Sequence, residues 1–219
     1  MGTDGFISIN GEQTPTLEIL LMLTIVMLLP SILVMMTSFV RTVIILSFTR
    51  NALGIQQTPP NIVLVGIALF LTLFIMQPVI SEVNTVAYEP YQQGQITQER
   101  AIELGMVPMK EFMLKQTEIG SLNLFTDLAG IESSDNIEDI PMTVIIPSFM
   151  TSELKRGFTA GLLILIPFLL IDIIVASTLM SMGMIMLPPA TIALPFKLLL
   201  FVTLNGWELL FKTIVESFG

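Results

Sequence analysis

Four apolar runs of membrane length leave this chain few ways to fold. They cover residues 17–36 ("LEILLMLTIVMLLPSILVMM"), 61–80 ("NIVLVGIALFLTLFIMQPVI"), roughly 157–182 and roughly 191–215. Twenty residues make a helix of roughly 30 Å, enough to cross a hydrocarbon core. Inside lipid the backbone must satisfy its own polar groups, and a continuous apolar run does so as a helix. The expectation is an all-α fold: two long helical hairpins of apolar helices, with a small acidic helical insert between them. Residues 1–16 are a polar tail, 17–80 the first hairpin, 81–150 the insert, and 151–219 the second hairpin with a Met-rich tip. No repeat of 20–50 residues is visible.

Composition narrows the function. The chain is 53% hydrophobic and 12% charged, with a mean hydropathy of +0.84, where a soluble domain keeps about 25% charged residues. It belongs in a membrane or inside a large assembly. There is no cysteine and no histidine, which removes disulfides, Cys/His zinc sites and histidine acid–base catalysis. No phosphate-cradling glycine loop and no metal-ligand cluster occur, so no cofactor is expected. A formal charge of −9 argues against a nucleic-acid partner. Most of that charge is local: residues 81–140 hold eleven acidic and three basic residues.

The first run follows a tail without the Lys/Arg cluster of a signal peptide, and it is too long for a signal's apolar region. It reads as a retained helix, with any cleavable signal upstream of Met1 or absent. The helix is expected to continue through "TSFVRTVIILSFTRNALGIQQTPPN" and turn at Gly54 and Pro59-Pro60. In the insert, one helical pattern runs from Thr97 through Leu104 and another starts at Pro108, a favourable first-turn position. "ESSDNIEDIP" reads as a solvated acidic loop. Pro30 and Pro167 fall inside apolar runs, where each removes a backbone hydrogen bond and favours a kink.

Arg41 and Arg50 on the first hairpin's connection place that tip in the cytoplasm and the insert outside. Lys155 and Arg156, however, precede the third run on the insert's side, and 183–194 carries no cation. Either the first hairpin alone sets the orientation, or these helices end up buried in protein more than in lipid. The second reading is favoured.

Asp172 stands in the middle of the third run ("LLIDIIVAS"), where a carboxylate costs about 2.5–3.5 kcal/mol. The cation deep inside the neighbouring run is Lys197 ("LPFKLLL"). If the hairpin turns midway between them, near Met184 and Ile185, both stand roughly 19 Å up antiparallel helices, at equal depth. A buried ion pair is one reading; a carboxylate held protonated by desolvation is the other. An intramembrane aspartyl protease would need a second deep carboxylate, but Glu18 is at the edge of a run and no GxGD occurs. Gly157 and Gly161 form a small-xxx-small spacing that permits close helix approach.

The tip itself, "SMGMIMLPP", alternates methionines (Met180, Met182, Met184, Met186) around Gly183 and stops at Pro188-Pro189. Met is unbranched and adaptable. A ring of such loops would form an apolar constriction; a loop buried against a neighbour stays the alternative.

"TSFVRTVIILSFTRNALGIQQTPPN", "PMKEFMLKQT", "IPSFMTSELKRGF", "FLLIDIIVASTLMSMGM" and "LPPATIALPFKLLLF" resemble the FliP family from about Leu17 onward. These are core export-gate proteins of flagellar type III secretion, with counterparts in virulence injectisomes. The resemblance implies a homo-oligomer of five copies joined by FliQ and one FliR, with FlhA and FlhB nearby. It implies an inner-membrane conduit at the flagellar basal body for unfolded substrates, with energy from the proton-motive force and an associated ATPase. It further implies that Met184, Ile185 and Met186, next to Met182, form a gasket around the pore, and that Asp172 and Lys197 are the family's charged pair. Ile185 departs from the family's run of three methionines, and a β-branched residue is stiffer. The cleavable signal peptide of many members is not seen here.

Overall fold

The computed structural model describes residues 6–9, 12–55, 57–131 and 140–219, and no side chains at 6–18, 29, 30 or 33. The acidic loop at 132–139 and the Pro30 side chain therefore lie outside the described residues. Ahead of the helices, β1 (Phe6–Ile9) pairs antiparallel with β2 (Glu12–Pro15), Phe6 opposite Pro15. From Thr16 onward the described chain is helical, as expected of an all-α fold.

α1 (Thr16–Met35) holds the first run. The helix does not continue into the next segment as the sequence suggested. Thr37 Oγ1 donates to the Val34 carbonyl at 3.0 Å, and a new helix, α2 (Phe39–Ala52), starts after Ser38, whose hydroxyl makes no capping bond. Ser and Thr side chains compete with the helix ladder in this way. α2 buries Arg41, Thr42, Ile45, Leu46, Thr49 and Ala52, a stripe at helical spacing. Thr42 and Thr49 hydroxyls donate to the carbonyls four residues back, so the stripe is slim yet satisfied.

After the turn at Gly54 (φ 77°), α3 (Asn61–Val83) returns with Leu64, Ala68, Thr72 and Met76 buried at four-residue spacing. It runs on through a π-helical turn (Asn84–Tyr88) into α4 (Glu89–Gln92). α5 (Gln98–Gln116) and α6 (Ile119–Ala129) follow, the two helices that lie wholly in the middle of the expected insert. Here the sequence reading needs correcting: Pro108 lies inside one helix and does not begin a second. Its buried position on α5 fixes it against the core, where packing outweighs the lost hydrogen bond. The true break is at Thr117-Glu118.

α7 (Met142–Ser181) is 40 residues long, roughly 60 Å, and starts well before the third apolar run. Its first turns bury Val144, Ile145, Ser148, Phe149, Ser152 and Glu153, again a helical stripe, against Met36, Phe112 and Met113. The fourth run is not one helix either. α8 (Pro189–Thr203) and α9 (Gly206–Glu216) meet at 64° across Asn205, which adopts a left-handed φ of 49°. The Trp207 ring stands edge-on to Phe201 at 5.2 Å across that bend.

α2 against α7 is the most extensive helix pair and forms the spine of the fold. Two described helices are long and apolar enough to cross a membrane, α3 with its extension (Asn61–Gln92) and α7, or three if α8–α9 count as one span. Only 22% and 11% of their most apolar windows are buried within the chain, so lipid or other subunits must cover the rest.

Candidate functional site: the hairpin tip and its charged arms

The end of α7 is built to turn. Gly183 takes φ 75°, its N–H donates to Met180 O at 3.0 Å, and Met184 N–H donates to Leu179 O at 3.0 Å. This is the Schellman arrangement, which a left-handed glycine permits at little cost. The proline pair then opens α8, Pro188 as N-cap and Pro189 at the first helical position. Residues 182–188 form the apex.

The apex carries an unusual load of uncovered apolar surface. Met182 is 66% exposed, Ile185 82% and Met186 98%, while Met184 is half-buried. The tip presents no charged side chain and, among the described residues, makes no side-chain contact that would cover Met186. Such a patch marks a contact surface.

Up the arms, the structure brings Asp172 and Lys197 together. Lys197 Nζ donates to Asp172 Oδ2 at 2.6 Å and to the Ala52 carbonyl at 3.2 Å. The ammonium is buried and the carboxylate one-third exposed. Ala52 is the last residue of α2, so Lys197 also sits at the negative end of that helix's dipole. One side chain thus ties both arms of the second hairpin to the end of α2, a link that the equal-depth argument did not contain.

Gly157 and Gly161 lie on the α7 face that meets α2. A Cβ on Gly157 would come 3.2 Å from Ile44, and one on Gly161 would come 2.5 Å from Phe48. The two glycines receive two side chains spaced four apart on the partner helix. Phe48 is also edge-on to Phe158 at 5.4 Å.

A second charged centre escaped the sequence reading. Arg41, assigned there to a cytoplasmic connection, is instead 2% exposed. Its guanidinium pairs with Glu153, which is wholly buried on α7. It also donates to Gln116 Oε1 at 3.0 Å and to the Ser217 carbonyl at 3.0 Å, and lies 3.8 Å over the Phe218 ring. Gln116 Nε2 closes the ring of bonds on the Phe218 carbonyl at 3.1 Å. Burial pulls the guanidinium below its ordinary value, and the hydrogen bond and charge of Glu153 push it back up; arginine stays a cation in either case. Four elements, α2, α5, α7 and the residues after α9, are clamped at this point. The partners are 112 residues apart, and nothing local in either neighbourhood announces the pairing. Lys155 and Arg156 likewise sit inside α7, not in a loop before it.

Among the described residues no cluster of acidic groups could hold a metal ion. The residues at the tip are apolar, and the charges in the arms are consumed by each other and by a helix end. The arrangement can bind, seal and repack.

Comparison with known proteins agrees with the resemblance. The FliP family profile matches residues 22–214. The flagellar biosynthetic protein FliP of Pectobacterium carotovorum is 53% identical over 95% of this chain and 82% of its own length. That of Bacillus subtilis is 48% identical over 97% of this chain and 99% of its own. That of Aquifex aeolicus is 46% identical over 95% and 88%. On a profile that runs through the hairpin tip and both charged arms, the chain belongs to the FliP family.

Proposed function

We propose that the chain is a pore-lining subunit of the flagellar protein export gate, in which hairpin tips from several copies close the pore. As a FliP family member it is a component of the flagellar export apparatus and not an enzyme. Its membrane-length helices, in a flagellar export protein, support a place in the cytoplasmic membrane. The finer reading follows from the family resemblance. Five copies assemble with FliQ and FliR, near FlhA and FlhB, and pass unfolded flagellar proteins outward, with the acidic insert on the extracytoplasmic side. The flagellar names of the relatives favour this system over an injectisome.

The observation that carries the proposal is the exposure of Ile185 and Met186 at a tip stopped by glycine and proline. Apolar area left in water forgoes about 25 cal/mol per Å². Tips that converge on one another recover that term and leave a constriction closed to water and ions. Flexible methionines at Met182, Met184 and Met186 can then repack around a passing chain. Ile185 keeps the seal apolar while making it stiffer.

Replacing Met184, Ile185 and Met186 together with glycine tests the reading. A gate leaks ions or small solutes while assembly is preserved. Lost assembly without leakage would instead mark the tip as a scaffold contact that nucleates the apparatus and conducts nothing.

A further inference from the structure

A cleft between α7 and α9 has features that the gate reading does not use. It encloses about 440 Å³, with Arg41, Lys155, Arg156 and Glu118 at one end and an apolar wall at the other. The charges at the polar end do not balance. Arg41 is paired with Glu153, and Lys155 with Glu118 at 2.5 Å. Arg156 hydrogen-bonds to a neutral partner, Gln116 Oε1, at 3.1 Å. Among the described residues, three cations face two carboxylates: Arg156 shares the charge of Glu153 with Arg41, which leaves one positive charge in excess.

The position of Arg156 along α7 adds a second constraint. It is the last charged residue before Asp172, so it stands where the helix enters its uncharged apolar stretch, the level at which a hydrocarbon core would begin. Basic side chains at that level meet phosphates. From Arg156 the cleft wall continues through Ala160 and Ile164 on the same helical face, about 12 Å of rise. Leu210 and Ile214 of α9 face it from the other side. A small soluble anion would satisfy the guanidinium but leave these walls uncovered. An amphiphile with an anionic head covers both.

We propose that this cleft binds an anionic phospholipid, with its phosphate on Arg156 and one acyl chain laid between α7 and α9. Lys155, at the rim with a 65% exposed side chain, stays paired with Glu118, so Arg156 carries the headgroup contact. The site would tie α9, whose end is clamped to Arg41, to the lipid composition of the membrane. It is separate from the hairpin tip, so either reading stands if the other fails.

Native mass spectrometry of the full chain in detergent, with added phosphatidylglycerol or phosphatidylcholine of matched chains, tests it. Phosphatidylglycerol is expected to form adducts about fivefold more readily, the ratio that roughly 1 kcal/mol from the single Arg156 contact gives. Arg156→Gln abolishes the preference, Arg156→Lys keeps most of it, and Lys212→Gln, an exposed cation on α9 that does not line the cleft, leaves it unchanged. Leu163→Trp narrows the apolar wall without altering charge and lowers both adducts. If Arg156→Gln does not fold, Leu163→Trp decides alone. Equal binding of the two lipids, or adducts indifferent to Arg156→Gln and Leu163→Trp, overturns the proposal. So does displacement of the lipid by an equal concentration of inorganic phosphate, which would mark a small-anion site. An acidic helix of a neighbouring subunit cross-linked into the cleft of the assembled gate would also overturn it.

Discussion

At the scale of single residues, the fold depends on places where one side chain is either absent or indispensable. Gly161 is such an absence, since its missing Cβ makes room for Phe48. Gly161→Ala is expected to lower thermal stability in detergent by about 1–3 kcal/mol through overpacking, and Phe48→Leu in the same chain should restore part of it. Gly66 on α3 has open space around it, so Gly66→Ala should be neutral or stabilising by roughly 0.5–1 kcal/mol. Glu153 is indispensable in the opposite sense. Glu153→Ala leaves a buried guanidinium unpaired, and its expected cost, read from the same melts, is about 3–5 kcal/mol. The pair in the second hairpin behaves differently, because Asp172 is partly exposed. Asp172→Ala strands a buried ammonium on a single carbonyl, so adding Lys197→Ala should recover stability. A double variant no better than the worse single variant would show that the two charges do not act through each other.

At the scale of elements, what the sequence revealed depended on how local the signal was. The tip was legible because Gly183, the proline pair and the flanking apolar runs lie within a few residues of one another. The shared depth of Asp172 and Lys197 needed only their spacing from that turn. Three helix boundaries were not legible. Pro108 stays inside α5 because tertiary burial holds it there, and no residue near it encodes that. α1 ends before α2 through hydroxyl back-bonds that a run of apolar letters conceals. The break between α8 and α9 did have a signal, the Asn205-Gly206 dipeptide, which turns chains readily, but the apolar run around it masked it. The Arg41–Glu153 clamp was invisible for a plainer reason: it joins elements that only the folded chain brings together. A prediction belongs at this scale too. Gly183→Ala puts a Cβ into a left-handed residue and should cost roughly 1–2 kcal/mol. Because the strain is confined to the α7 C-terminus, hydrogen exchange should rise at Leu179–Met184 and stay unchanged in α2.

At the scale of the whole molecule, the chain is an incomplete object. Its two longest described apolar helices keep most of their surface uncovered, and Met186, the most exposed large apolar side chain among the described residues, sits at a turn where water is the poorest partner. A clamped upper body, built on Arg41 and the α2–α7 spine, carries an arm that ends in an adaptable apolar tip. Such a division suits a subunit whose body must hold still while its tip yields. The central claim is that the tips of several copies converge. The chain contains no cysteine, so a single Met186→Cys introduces its only thiol, and a disulfide-linked dimer of this chain formed by oxidising the assembled gate reports contact at that position. Convergent tips predict efficient disulfide-linked dimers through position 186, and none through Phe70→Cys on the outer face of α3. Absence of cross-links at 186 in a fully assembled, export-competent gate would contradict the account.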